Sequence, residues 1–232
     1  GIMIYTDGIV NSCKSQERIE EHKSMYSEYA PTIYALTAAI DAKDHYTFQH
    51  SKNVAYYAES LAKELNLPEE HREILKEAAL LHDIGKIGVS EQILNKRGPL
   101  TDSEYESMKG HVEYSVGIIR HLPSMDYVIP AVIGHHERWD GKGYPRRISG
   151  KDIPLAARIL CVADSFDAMV SKRCYKQEMS VEYAISELER GAGSQFDPSL
   201  AAIFVRMIRE RRIRPVLSKD VLDETGVTHV AS

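Results

Sequence analysis

The chain has 232 residues, 43% hydrophobic and 27% charged, enough for one sizeable core in a globular composition. A formal net charge of -5 leaves no basic footprint for duplex nucleic acid, so an anionic ligand would need locally assembled positive charge. Three scattered cysteines without a C-x-x-C spacing argue against a disulfide framework, and the most apolar stretch, residues 153–170, is broken by Arg158, Asp164 and Asp167 and reads as a buried helix.

Taken in order, residues 1–15 carry a short apolar run and a turn signal, a tail or linker. Gly1-Ile2-Met3 has neither the basic region nor the apolar core of a signal peptide, and a start on Gly leads us to expect domains upstream of residue 1. Residues 16–42 are helical in pattern, charged early and apolar later, with Pro31 starting a second helix or kinking the first. Such a segment relays from an upstream domain, pairs with itself in a homodimer, or packs on the core. Thr47 is the expected N-cap of a helix running to Leu67, in which His50 shares a face with Val54, Tyr57 and Leu61. The next helix, over residues 69–83, puts His82 on a stripe with Leu75, Ala78 and Ala79, and Gly85 is placed to end it. Thr101-Asp102-Ser103-Glu104 is a capping box opening a helix that carries His111 with Met108, Val112, Ser115 and Ile119.

Residues 127–136 place His135 beside Ala131 and Val132, and His136 beside Ile129, Val132 and Ile133. Residues 153–170 put Asp164 with Ala157, Leu160 and Ala168. A helix over 180–190 ends at Gly191, Asp197-Pro198 caps another reaching about Arg212, and the tail from Arg214 should be irregular or only locally structured. The fold class that results is all-α.

Metal-binding residue types therefore fall on inward stripes: His50, His82, Asp83 by adjacency, His111, His135 or His136, and Asp164. Singly, a histidine on an apolar stripe is more often a hydrogen-bonded core residue. Jointly the set favours a cation, because a buried Asp164 needs a partner, and an unpaired buried carboxylate costs several kcal/mol or more. The ordinary partner would be Arg158 or Lys86. His22, His45, His71, His121 and His229 read as surface residues.

His82-Asp83-Ile84-Gly85-Lys86, followed by His135-His136-Glu137-Arg138-Trp139-Asp140-Gly141-Lys142-Gly143-Tyr144-Pro145, resembles the HD-GYP family, the bacterial cyclic di-GMP phosphodiesterase branch of the HD hydrolases. Asp44-x-Tyr46-Thr47-x-x-His50-Ser51, residues 153–164, Arg173-x-Tyr175-Lys176 and Phe196-Asp197-Pro198 match in order. The resemblance spans about residues 44–197 and implies an HD-domain helical bundle; we expect the catalytic domain over residues 43–213, with an N-terminal helical extension (1–42) and a tail (214–232). It implies one metal ion on His50, His82, Asp83 and Asp164, with Asp83 bridging to a second ion on His111, His135 and His136. By the same resemblance Asp83 and Lys86 would be the catalytic residues, with Lys86 near the substrate phosphate. The resemblance also implies that Gly143 and Tyr144 line the cleft and that Arg173 and Lys176, with Asp167 among them, reach a distal phosphate or guanine.

Two departures qualify the match. Tyr46 stands where some members carry a Glu for a third metal, so two ions are expected, and Cys174 replaces a common Pro. A thiolate-free set suits iron or manganese ahead of zinc, nickel or cobalt. The activity implied is cytoplasmic hydrolysis of cyclic di-GMP to linear pGpG or on to GMP, with diguanylate cyclase domains as partners. The alternatives are another cyclic dinucleotide or nucleotide, a non-catalytic module binding a nucleotide or partner, and, more remotely, a di-iron oxygenase.

Overall fold

A computed structural model describes residues 30–40, 43, 49–171, 179–216, 220–222 and 228–230. The apolar stripes become helices α1 (30–40), α2 (His50–Glu64), α3 (Glu69–Leu81), α4 (Glu91–Leu94), α5 (Asp102–Lys109), α6 (His111–Ile119), α7 (Ile129–Gly134), α8 (Leu155–Val170), α9 (Val181–Gly191) and α10 (Pro198–Arg209). The bundle is all-α, as expected, and the tail adds a short antiparallel pair, β1 (Asp220–Leu222) with β2 (Thr228–Val230), Val221 opposite His229. No helix among the described residues is long and apolar enough to cross a membrane.

The core forms where α2, α3 and α8 bring their stripes together. Tyr57, Phe166 and Phe204 meet edge to face at ring separations of 5.1, 6.0 and 5.2 Å, which joins α2, α8 and α10 by the ring geometry that quadrupoles favour. The buried Tyr57 hydroxyl accepts from Val216 N–H at 2.7 Å, so the chain beyond α10 is drawn back over the core. Ile33 and Ile40 of α1 are buried in the same core, and Thr37 donates to Leu80 O at 3.0 Å. The capping box at Thr101 and Glu104 is present, as are the Ser180 and Asp197 caps.

Two helix ends differ from the sequence expectation for one shared reason. α2 stops at Glu64, not Leu67, because Asn66 turns left-handed (φ 54) and Leu67 N–H reaches back to Ala62 O while Asn66 N–H reaches Lys63 O. That is a Schellman closure without glycine. α10 stops at Arg209, not Arg212, by the same pattern: Arg211 has φ 58, Arg212 N–H bonds Met207 O and Arg211 N–H bonds Ile208 O. α2 begins at His50 behind Gln49, and Thr47 lies outside the described residues. The expected single helix through His111 is interrupted at Gly110, which separates α5 from α6.

Candidate metal centre and cleft

Four of the candidate histidines occupy helix ends, where side chains of different elements can converge without crossing backbone. His50 opens α2, His111 opens α6, His82 is the C-cap of α3 and His135 the C-cap of α7. His136 follows His135, and Asp164 projects from the middle of α8.

Three of these rings are set the same way. His82 Nδ1 donates to Ala79 O at 2.7 Å, His111 Nδ1 to Met108 O at 2.7 Å and His135 Nδ1 to Val132 O at 2.6 Å. A carbonyl can only accept, so each Nδ1 carries a proton and each ring turns its Nε2 toward the centre, where a neutral ring offers a lone pair. Those three Nε2 atoms are buried and have no hydrogen-bond partner. His50 is oriented differently: its Nδ1 donates to Asp167 Oδ2 at 2.7 Å, and Asn53 Nδ2 donates to Asp167 Oδ1 at 2.9 Å.

The carboxylates face these lone pairs. Asp83 Oδ2 is 3.3 Å from His82 Nε2 and 3.9 Å from His50 Nε2, and Asp83 Oδ1 is 3.4 Å from His111 Nε2. Asp164 Oδ1 lies 3.4 Å from His50 Nε2 and 3.9 Å from His82 Nε2. Acceptors aimed at acceptors call for a proton or a cation between them. Donor atoms close enough to share an ion fall into the groups His50, His82, Asp164; His111, His135, His136; and His82, Asp83, His135. Nitrogen and carboxylate donors without thiolate fit a divalent metal.

The protonation pattern follows from this crowding. Burial opposes charge on Asp83, but Lys86, whose Nζ is 2.8 Å from Oδ2, together with His82 and His111 holds its carboxyl well below the usual range. Burial also opposes charge on Asp164, and His50 and His82 outweigh it, lowering that carboxyl too. Burial pushes His136 down to about 3 and lowers His111 and His135 as well, neighbouring imidazoles adding to the effect. These three rings stay neutral, the form that ligates. For His50 and His82 burial is outweighed by the facing carboxylates, and both are raised.

The backbone around the centre is tightly fitted. Gly85 was expected to end α3, but the helix stops at Leu81 and Gly85 lies within a 3-10 turn, Ile84–Gly88. Its glycine is needed for close approach: a Cβ there would stand 2.0 Å from His111 O. Gly85 N–H donates to Ser115 Oγ at 2.8 Å, and Ser115 Oγ donates to His82 O at 2.9 Å, so α6 grips the His82-Asp83 turn from behind.

The loop after α7 forms the rim. The Tyr144 ring stacks on His136 at 4.8 Å and 28°, Tyr144 N–H donates to His136 O at 3.2 Å, and the Tyr144-Pro145 peptide is cis. Lys109 Nζ sits 5.6 Å from the Tyr144 ring centre and 5.2 Å from that of Tyr105. A Cβ on Gly143 would meet Arg138 N at 2.4 Å and both Glu137 Cα and His136 O at 2.5 Å, so the loop crosses this backbone where only glycine fits. Buried Glu137 fastens the loop, its Oε1 accepting from Arg146 N–H at 2.6 Å and Arg147 N–H at 3.1 Å.

Of the expected site residues, His50, His82, Asp83, Lys86, His111, His135, His136 and Asp164 converge, with Gly143 and Tyr144 at the rim. Asp167 is a correction. It is 0% exposed and bonded to His50 and Asn53, so it orients the His50 ring from behind and is closed to a substrate. Arg173 and Lys176 lie outside the described residues. Neither Arg158 nor Lys86 partners Asp164: Arg158 bonds Asp197 at 2.6 Å and Lys86 bonds Asp83. Sequence reasoning missed Asn53, Ser115 and Glu137. Only Glu137, adjacent to the histidine pair, left a signal there.

Residues 34–200 match the HD domain family. The chain is 40% identical over 177 residues to the 3'3'-cGAMP-specific phosphodiesterase 2 of Vibrio cholerae, covering 75% of this chain and 34% of that protein. It is 32% identical over 231 residues to the cyclic di-GMP phosphodiesterase of Thermotoga maritima, covering 96% of this chain and 62% of that one. It thus spans between about a third and two thirds of these two relatives. Its fold is similar to a crystal structure of a cyclic GMP-AMP-specific phosphodiesterase of V. cholerae, with a TM-score of 0.62 at 21% identity over 78% of this chain and 49% of that one.

Proposed function

The chain belongs to the HD domain family, in its HD-GYP branch, and from that membership and the donor geometry we propose that it is a metal-dependent phosphodiesterase opening cyclic di-GMP to linear pGpG or on to GMP. The observation that carries this reading is the set of three buried Nε2 atoms of His82, His111 and His135 that have no hydrogen-bond partner and gather with the carboxylates of Asp83 and Asp164.

In this reading His50, His82, Asp83 and Asp164 would hold one ion, and His111, His135 and His136 a second, with Asp83 shared. Iron or manganese suits these donors ahead of zinc, nickel or cobalt. The chemistry such a pair supplies when bound is Lewis-acid polarisation of phosphoryl oxygens and a water ionised near neutral pH. The protein's own residues do the rest. Two carboxylates against two dications leave roughly two units of positive charge, which attracts an anionic phosphodiester to an otherwise acidic chain. Lys86 offers its ammonium to charge building on the phosphoryl oxygens. Tyr144, stacked on His136, walls the cleft beside the centre and limits water there. Arg173 and Lys176 would take the distal phosphate or base. Diguanylate cyclase domains docking on the Gly143-Tyr144 loop, a homodimer through the N-terminal helix and a cytoplasmic location complete the proposal.

A second reading, 3'3'-cGAMP as substrate, is favoured by the 40% identity to the V. cholerae enzyme. A panel of cyclic di-GMP, 3'3'-cGAMP, cyclic di-AMP and mononucleotides, with products separated by chromatography and metal quantified per chain, decides between them. Asp83→Ala should abolish turnover. Wild-type-like turnover in that variant, or preference for a mononucleotide, would reject the proposal.

A further inference from the structure

Away from the ligand cage, one cation gives all its protons to a single stretch of backbone. Lys43 Nζ donates to Lys86 O at 3.2 Å, Ile87 O at 2.7 Å and Val89 O at 2.8 Å. An ammonium has three protons, so this set uses its full donor capacity. The acceptors cluster at the C-terminal end of the 3-10 turn Ile84–Gly88, where the dipole end is negative, and Lys86 O accepts from Val89 N–H at 3.1 Å as well. Fixing a lysine in one rotamer has an entropic cost, and three simultaneous acceptors offset it. The Lys43 backbone is held as well, its carbonyl accepting from Asn95 Nδ2 at 3.2 Å.

This turn carries Lys86, whose Nζ lies 2.8 Å from Asp83 Oδ2. Its N-terminal end is anchored on α6 through Gly85 N–H and Ser115, and by Lys86 N–H on Asp83 O at 2.9 Å. Lys43 supplies the anchor at the other end. A turn held at both ends can present an ammonium at a fixed place, whereas one held at a single end can swing.

We propose that Lys43 is a positioning residue for Lys86, clamping the C-terminal end of its turn so that the Lys86 ammonium is held over the centre; the role rests on the phosphodiesterase reading. The clamp also reaches from the side of the molecule occupied by α1, whose Thr37 bonds Leu80 O just before His82.

The test is a double-mutant cycle of Lys43→Met and Lys86→Ala, with Lys43→Arg as the conservative variant. Cyclic di-GMP and bis(p-nitrophenyl) phosphate serve as probes, and metal per chain and hydrogen exchange over residues 84–89 are measured alongside. Lys43→Met should lower kcat by about tenfold or more, with KM within about twofold. Metal content should not change, exchange over 84–89 should rise, and Lys43→Arg should recover most of the loss. In the Lys86→Ala background Lys43→Met should cost nothing further, since a residue acting through Lys86 has nothing left to act on. An additive loss, an unchanged kcat, lost metal, or a Lys43→Met chain that does not fold overturns the proposal and makes Lys43 structural. If the native chain hydrolyses neither ester, the phosphodiesterase reading falls instead, and exchange over 84–89 still judges the clamp.

Discussion

Asp167 and Glu77 are both buried acids, and their surroundings give them opposite tasks. Asp167 holds the His50 ring by accepting its Nδ1–H, the carboxylate-to-imidazole pattern that fixes a metal ligand's tautomer and raises its basicity. Asp167→Asn should therefore weaken metal binding in the group containing His50 by about 10- to 100-fold. The group of His111, His135 and His136 should keep its affinity, so chelator competition should turn biphasic; uniform weakening would deny the assignment. Glu77 has no metal task. Burial raises it to about 7 from an ordinary 4.5, with the Tyr127 hydroxyl donating to Oε2 and partly opposing the rise. A raised acid favours the fold in its protonated form. Its contribution is present below about pH 4.5, where the unfolded chain is also protonated, and is lost as pH climbs through about 7. The amount at stake is up to about 3 kcal/mol. Urea unfolding of wild type and Glu77→Gln at pH 5 and pH 8 should show the wild type losing more stability across that window; parallel losses would mean that Glu77 is ionised throughout.

At the scale of elements, the site depends on how closely turns approach helices. Ser115→Ala removes the acceptor for Gly85 N–H and the donor to His82 O, leaving buried backbone groups unpaired. It should destabilise the fold by about 1–3 kcal/mol in urea unfolding, and a neutral effect would mean that another group replaces the hydroxyl. Gly143→Ala puts a methyl against backbone that cannot rotate away, so the loop must move and take Tyr144 off His136. The expectation is a fall in kcat/KM of about 100-fold with metal content intact. These contacts also mark where sequence reading stopped. Apolar periodicity placed the candidate histidines and Asp164 on inward faces, because stripes record burial, and Asp83 followed only by adjacency to His82. It extended α2 and α10 by three residues each, because Asn66 and Arg211 close the helices without the glycine that signals such a stop. It could not separate His135 from His136, since α7 ends at Gly134 and residues past a helix end no longer obey its period. Asp167 shares the inward face of α8 with Asp164, and only the packing of α2 shows that it backs His50 rather than the cleft. The backbone contacts of Gly85 and Gly143 join segments distant in sequence or folded back on themselves, and no local pattern encodes them.

For the whole molecule, the centre joins α2, α3, α6, α7 and α8 at one point, so any cation there bridges most of the bundle at once. The unfolded chain offers the same donors without their convergence, and a ligand that binds only the folded state stabilises it in proportion to the logarithm of its excess over Kd. With no cation bound, the neutral His111 and His135 would turn Nε2 lone pairs toward Asp83, a repulsion the fold would have to bear. At a metal concentration 100 times Kd the stabilisation is about 2.7 kcal/mol, which for a chain of this size corresponds to roughly 5–10 °C in Tm. Exhaustive chelation should lower Tm by that amount, and manganese or iron(II) should restore it with a dependence on free metal concentration. His135→Ala should flatten the response, since it removes a donor common to two of the three groups. An unfolding temperature indifferent to chelator in the native chain, with metal shown by elemental analysis to have left, would mean that the converging donors do not form a metal centre at all.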